Sequence, residues 1–112
     1  MILSDMEVEL LAWCKPKIEH AHGHSYICIW LEYAILDKFQ IEDLGDSEEA
    51  LLIYHSLTAA ISDAIDNKTT VLEYLGSHVD GFRDLDSKQK SEMCRLARMA
   101  WIDKMIETRT IS

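Results

Sequence analysis

The stretch "YICIWLEYAIL", residues 26–36, is aliphatic or aromatic at almost every position, with only Glu32 bringing a charge. A helix that is apolar nearly all round must be covered on several sides. This segment therefore belongs at the centre of whatever the chain folds into. It is too short to cross a bilayer, which takes about 20 consecutive apolar residues. Its helix is expected from His24 or Ser25 to about Lys38, with Tyr26, Trp30, Tyr33 and Phe39 as its large packing groups. Any part of the helix over 25–38 left exposed offers a docking face for a second copy of the chain, giving a homo-oligomer.

The cover has to come from the rest of 112 residues, enough for one domain spanning 1–112 with a core of its own. One proline and four glycines leave little material for hairpins, and alternating runs of Val, Ile and Thr are missing. The expected class is all-α: a compact bundle of four to five helices.

Helix boundaries follow from caps and breakers. Ser4 and Glu7 have capping-box spacing, so the first helix starts at Ser4, and Val8, Leu11 and Cys14 give its buried stripe. Pro16 removes a backbone donor, which predicts an end or kink near Cys14 and leaves "KPKIEHAHG" as a short second piece or a loop. After the central helix, "QIEDLGDSEE" reads as a linker turning at Gly45, and Asp46 or Ser47 caps a third helix reaching about Asn67. Its inner face is expected at Leu51, Leu52, Leu57, Ile61 and Ile65. Thr70 and Glu73 form a second capping box for a short helix, "VLEYLG", that stops at Gly76. The following "SHVDGFRDLD" reads as a loop with room for one helical turn. A last helix then runs from Asp86 or Ser87 to about Thr108, with Met93, Leu96, Ala97, Ala100, Trp101, Met105 and Ile106 inward.

Charge is the strongest functional signal. The net charge is −9, and residues 39–67 hold Glu42, Asp43, Asp46, Glu48, Glu49, Asp63 and Asp66 without one Lys or Arg. The segment from Lys88 onward reverses the sign, with Lys88, Lys90, Arg95, Arg98, Lys104 and Arg109 against Glu92, Asp103 and Glu107. Direct binding to nucleic acid is disfavoured by the acidic balance. Glu42, Asp43, Asp46, Glu48 and Glu49 are the candidate binding residues: they suit a helix start, and together they could imitate phosphates in a basic groove of another protein. They could also attract the basic last helix of a second copy, head to tail.

Other chemistries find less support. His20, His22 and His24 alternate in "EHAHGHS", and no HExxH motif completes a ligand set. They read as a polar connection at the N-terminal end of the central helix, with partly exposed imidazoles and no metal. Cys28 lies in the most apolar stretch, where burial makes a thiol inert. No GxSxG elbow or phosphate-cradling GxxxxGK loop occurs. The chain is therefore read as a non-enzyme without cofactors. Cys14, Cys28 and Cys94 form no CxxC pair, are odd in number and have apolar neighbours, as in a reducing compartment. The N-terminal "MILSDMEVEL" carries acids where a signal peptide carries basic residues, so the expected location is cytoplasmic, with no membrane partner. Trp13, Trp30 and Trp101 each fall on an apolar helical face and are expected in the core.

At "SYICIWLEYA" (25–34), "TTVLEYL" (69–75) and "RMAWIDKMIE" (98–107) the chain resembles small uncharacterised proteins of tailed bacteriophages and prophages. It departs from their pattern where Val71 intervenes between Thr70 and Leu72, and where Tyr74 stands in place of a Trp. The resemblance carries no catalytic residue. It implies a phage setting, hence the host cytoplasm, where small acidic helical proteins bind and inhibit host proteins. The leading expectation is an inhibitor of a host macromolecule, such as a nucleic-acid-binding component of CRISPR or restriction defence. The alternative is an oligomeric protein that sequesters a nucleotide signal, with Arg95, Arg98 and the histidine segment as phosphate contacts.

Overall fold

The computed structural model describes residues 1–20, 27–64 and 68–111. Among them are five α-helices: α1 (Asp5–Glu19), α2 (Ile27–Phe39), α3 (Glu48–Ala64), α4 (Lys68–His78) and α5 (Ser87–Thr108). Two 3-10 turns, Leu44–Asp46 and Phe82–Asp84, sit in the α2–α3 and α4–α5 connections. The all-α bundle expected from the sequence is the fold. His22 and His24, the start of the central helix, Ile65 and Asp66 lie outside the described residues.

The capping box of α1 forms as its spacing requires. The Glu7 amide donates to Ser4 Oγ at 3.2 Å, and the Ser4 amide donates to Glu7 Oε1 at 2.9 Å. The expected break near Cys14 does not occur: α1 continues through Pro16 to Glu19. Pro16 denies the Ala12 carbonyl its helical partner, but Ala12 and Pro16 both face solvent, where water can substitute. Ile18, fully buried one turn beyond Cys14, stabilises the continuation.

Helices α1 and α5 run antiparallel, and contacts at successive levels fix their register. Near the chain ends the Leu3 amide donates to the Arg109 carbonyl at 2.8 Å, and the Ile111 amide to the Met1 carbonyl at 2.9 Å. Ile2 and Thr110 pair there as an isolated antiparallel bridge. Further along, Lys15 meets Asp103 at 2.6 Å. At the other end Arg95 Nη1 donates to the Glu19 carbonyl at 2.7 Å. On its other flank α1 packs against α2, where Glu9 and Lys38 pair at 2.9 Å, and α2 in turn packs against α3.

The main core gathers Leu10, Leu11, Cys14 and Ile18 from α1 with Ile27, Leu31, Ala34 and Ile35 from α2. Ala50, Leu57 and Ile61 of α3, Ile102 and Met105 of α5, and Leu3, Leu44 and Ile111 from the connections and chain ends complete it. Thus α2 is central, covered by α1 and α3 on two sides. A smaller satellite core joins Val71 and Leu75 of α4, Phe82 and Cys94. The single helix α5, about 33 Å long at 1.5 Å per residue, reaches both.

Three boundaries or faces differ from expectation, each for a local reason. Helix α4 begins at Lys68, so Thr70 lies within it rather than capping it, and it runs past Gly76 to His78. A Cβ at Gly76 would come 3.3 Å from Arg83 Nε, so this glycine makes room for a neighbour instead of ending the helix. The chain turns at Gly81, in the left-handed region with φ of 76°. On α3 the buried stripe is Ala50, Leu57 and Ile61, while Leu52 is 63% exposed. On α5 the stripe is Cys94, Arg98, Ile102 and Met105, whereas Leu96 and Ala100 face outward.

Helix α2 ends in a paired turn: the Gln40 amide donates to Asp37 O at 3.2 Å and the Ile41 amide to Leu36 O at 3.1 Å. Gln40 adopts φ of 52° there, a conformation that favours glycine. Gln40→Gly should therefore raise the unfolding free energy by about 0.5–1 kcal/mol, read from the midpoint of a urea titration. The same titration should separate two leucines that the sequence places on one face. Leu57→Ala is expected to cost about 2–5 kcal/mol, and Leu52→Ala less than about 0.5 kcal/mol.

Candidate interaction surface

The acidic segment is built around one buried residue. Leu44 inserts into the main core, and the 3-10 turn it belongs to packs against both α2 and α3. The Asp43 carboxylate accepts the Gly45 amide at 2.7 Å, and the Asp46 amide returns to the Asp43 carbonyl at 3.0 Å. A Cβ on Gly45 would lie 3.1 Å from that carboxylate oxygen, so the glycine permits the turn to close. Ser47 then caps α3, its hydroxyl accepting the Ala50 amide at 3.3 Å. The segment is thus a fixed corner, held at Leu44 and stitched by two side-chain caps.

Glu42, Asp43, Asp46, Glu48 and Glu49 are all exposed on this corner. Among the described residues, none has a Lys or Arg within ion-pair distance. The contrast with acids elsewhere is informative. Asp5, Glu9, Glu92 and Asp103 are paired with Arg109, Lys38, Arg95 and Lys15 respectively. Asp43 differs from its four neighbours in committing one oxygen to the turn, so it is partly structural.

An apolar side chain adjoins the carboxylates. Leu52 stands one helical turn beyond Glu48 and Glu49 on the same face of α3, followed by the exposed His55 and Ser56. The sequence pattern alone places Leu52 in the core, because five apolar residues in "EALLIYHSL" fit more than one helical phase. The inward phase is set by Ala50, Leu57 and Ile61, and Leu52 lies outside it. Next to it, Tyr54 is half-buried and its ring lies 5.6 Å from that of His55. Burial, then the nearby Glu32 and Cys28, pushes the Tyr54 hydroxyl above its usual pKa.

The arginines at the basic end of the sequence turn toward partners within the molecule or into its interior. Arg95 directs its guanidinium to Glu92, to the Glu19 carbonyl and to Met99 Sδ at 3.4 Å. Arg98 is 1% exposed, between the satellite and main cores. Arg109 is paired with Asp5. Neither Arg95 nor Arg98 is thus presented to solvent as a phosphate clamp, whereas Lys88 and Lys104 of α5 are exposed.

The remaining candidates are placed as follows. His20 is exposed and caps the end of α1, its amide reaching the Pro16 carbonyl at 3.3 Å. Among the described residues, no three His, Cys, Asp or Glu side chains gather as a metal-binding group. Cys14 and Cys94 are fully buried, but Cys28 is only partly so, with Sγ 4.0 Å from Ser62 Oγ. Trp13 and Trp30 are partly buried and line one open groove with Lys17, Tyr33 and Asp37. Among the described residues, no helix is long and apolar enough to cross a membrane.

In comparisons with known proteins, no family model, no curated protein and no solved structure matches this chain. The described segments that carry the phage resemblance place Ile27, Leu31, Ala34, Val71, Leu75, Ile102 and Met105 in the two cores.

Glu92 supplies a pH test. Its hydrogen bonds to Arg95 hold the Glu92 carboxyl below the usual glutamate range, with the charges of Arg95 and Lys88 adding to the effect. A depressed carboxylate stabilises the fold above its unfolded pKa and loses that contribution as pH falls through the folded value. Glu92→Gln should therefore be less stable than wild type at neutral pH, with the gap constant down to about pH 5. The two melting curves should converge only in stronger acid.

Proposed function

We propose that this chain is a non-enzymatic interaction protein whose acidic corner, residues 42–49, occupies a basic surface on a partner macromolecule. The observation that carries the reading is the group of five exposed carboxylates with no intramolecular cation among the described residues. Leaving such charges adjacent costs self-repulsion, which a cationic partner relieves. The rigid mounting supports it further. Leu44 and the caps at Asp43 and Ser47 fix the backbone that carries the carboxylates before binding, so little backbone ordering entropy is lost on association. Leu52 supplies the apolar anchor that charge alone lacks.

In the phage setting implied by the resemblance, the partner is a host nucleic-acid-binding protein, and the carboxylates stand where DNA phosphates would lie. The activity is then anti-CRISPR or anti-restriction, exerted in the host cytoplasm by blocking a DNA groove. The nucleotide-sequestering alternative finds less support, since Arg95 is committed to Glu92 and α1 and Arg98 is buried, which leaves it the histidine segment.

Binding to purified CRISPR and restriction effector complexes, with duplex DNA as competitor, tests this. Wild type should compete with DNA and weaken as salt rises. Replacing Glu42, Asp46, Glu48 and Glu49 by Lys, with Asp43 retained to keep the turn, should abolish binding. Leu52→Ala should weaken it roughly tenfold. Binding that survives the fourfold reversal would remove the acidic corner as the contact.

A further inference from the structure

A second surface has different chemistry. Along the seam between α1 and α2 an open groove is lined by Trp13, Lys17, Trp30, Tyr33 and Asp37. Tyr33 is 53% exposed, and Ile29, one turn before it on α2, is 45% exposed. The Trp30 and Tyr33 rings meet at 5.9 Å with a 42° tilt, and the Lys17 ammonium lies 5.2 Å from the centre of the Trp13 ring. Two partly buried indole rings, an exposed tyrosine and an exposed isoleucine thus share one open face.

The charges of the groove identify its occupant. The Glu9–Lys38 pair puts the C-terminal end of α2 beside the early part of α1. Asp37 therefore sits at the Glu9 level, while Lys17 lies eight residues further along α1, about 12 Å at 1.5 Å per residue. The aromatic strip thus has a cation at one end and an anion at the other. Turned through a two-fold axis, such a strip meets itself with Lys17 against Asp37 at both ends and rings against rings between. The groove's own charges cancel, in a chain whose net charge is −9. A basic partner is drawn to the acidic corner, whereas another copy of this acidic chain is repelled least where the charge is balanced.

The geometry points to the α1–α2 face as a two-fold dimer interface, formed by Trp13, Trp30 and Tyr33 with reciprocal Lys17–Asp37 contacts. The inference is independent of the acidic corner, which stays open to a different partner.

Sedimentation of the purified protein from micromolar to millimolar concentration tests it. Wild type should pass from monomer to dimer, and Tyr33→Asp should stay monomeric with an unchanged circular dichroism spectrum. Lys17→Glu or Asp37→Lys alone should weaken the dimer roughly tenfold, because two rim contacts are lost per dimer. Mixing those two variants should restore association as a heterodimer. The two introduced charges, opposite in sign, then face each other at one end of the strip, and the native Lys17–Asp37 contact remains at the other. A wild type that stays monomeric, a dimer indifferent to Tyr33→Asp, or a mixture that fails to recover would each overturn the proposal, assigning the face to solvent or another partner.

Discussion

The antiparallel pairing of α1 with α5 is the constraint on which the rest of the molecule depends. It joins the two ends of the chain through backbone hydrogen bonds at Leu3 and Ile111, and it is repeated at Lys15–Asp103 and at Arg95 against the end of α1. Half-exposed ion pairs add at most about 1 kcal/mol each. Their larger effect is on register, because each is satisfied at only one alignment of the two helices. With that alignment fixed, one flank of α1 receives α2, and α2 receives α3. The far half of α5 receives α4 and the satellite core. Closing so long a loop costs entropy that grows only logarithmically with length, and the shared core of α1, α2, α3 and α5 offsets it.

The same pairing decides where charge is left over. Lys15, Lys38, Arg95 and Arg109 sit at helix-to-helix junctions or against the end of a helix, and each meets a carboxylate there. The stretch 39–67 has no cation of its own, and none of the described ones reaches the corner at 42–49. The bare acidic corner is therefore partly a by-product of how the bundle is clamped. What turns it into a usable surface is Leu44, which fixes the corner to the core, and Leu52, which gives it an apolar contact.

The helices were legible wherever a cap and a stripe agreed. Ser4 with Glu7, Ser47, and Asp86 opening a helix that runs to Thr108 gave starts that the structure reproduces. Asp86 and Gln89 also form a capping box whose spacing was available in the sequence. Breakers misled where their context was tertiary. Pro16 is harmless because its lost hydrogen bond faces water, and Gly76 serves Arg83 rather than a helix end. Phase misled where apolar residues were plentiful or a charged one was buried. Arg98 occupies the inward stripe of α5, so a reading that sends every cation outward rotates the helix and wrongly turns Leu96 inward. Of the acidic corner, the sequence showed the charges; it could not show which were paired, or that Leu52 stands beside them.

The two faces answer opposite physical variables, and for that reason they can act together. Association through the acidic corner gains from long-range attraction and is screened as ionic strength rises. Association through Trp13, Trp30 and Tyr33 gains from removing apolar surface from water, and salt opposes it little. It also has a charge problem to overcome, since joining two chains of net charge −9 is repulsive at a distance. Salt that weakens partner binding therefore eases self-association, and a cationic partner on the acidic corner does the same by neutralising each chain. Binding at the corner should thus promote pairing across α1 and α2 without any change of shape. The proposed coupling is electrostatic, and by linkage it is reciprocal: a pair formed across α1 and α2 would present two acidic corners at once.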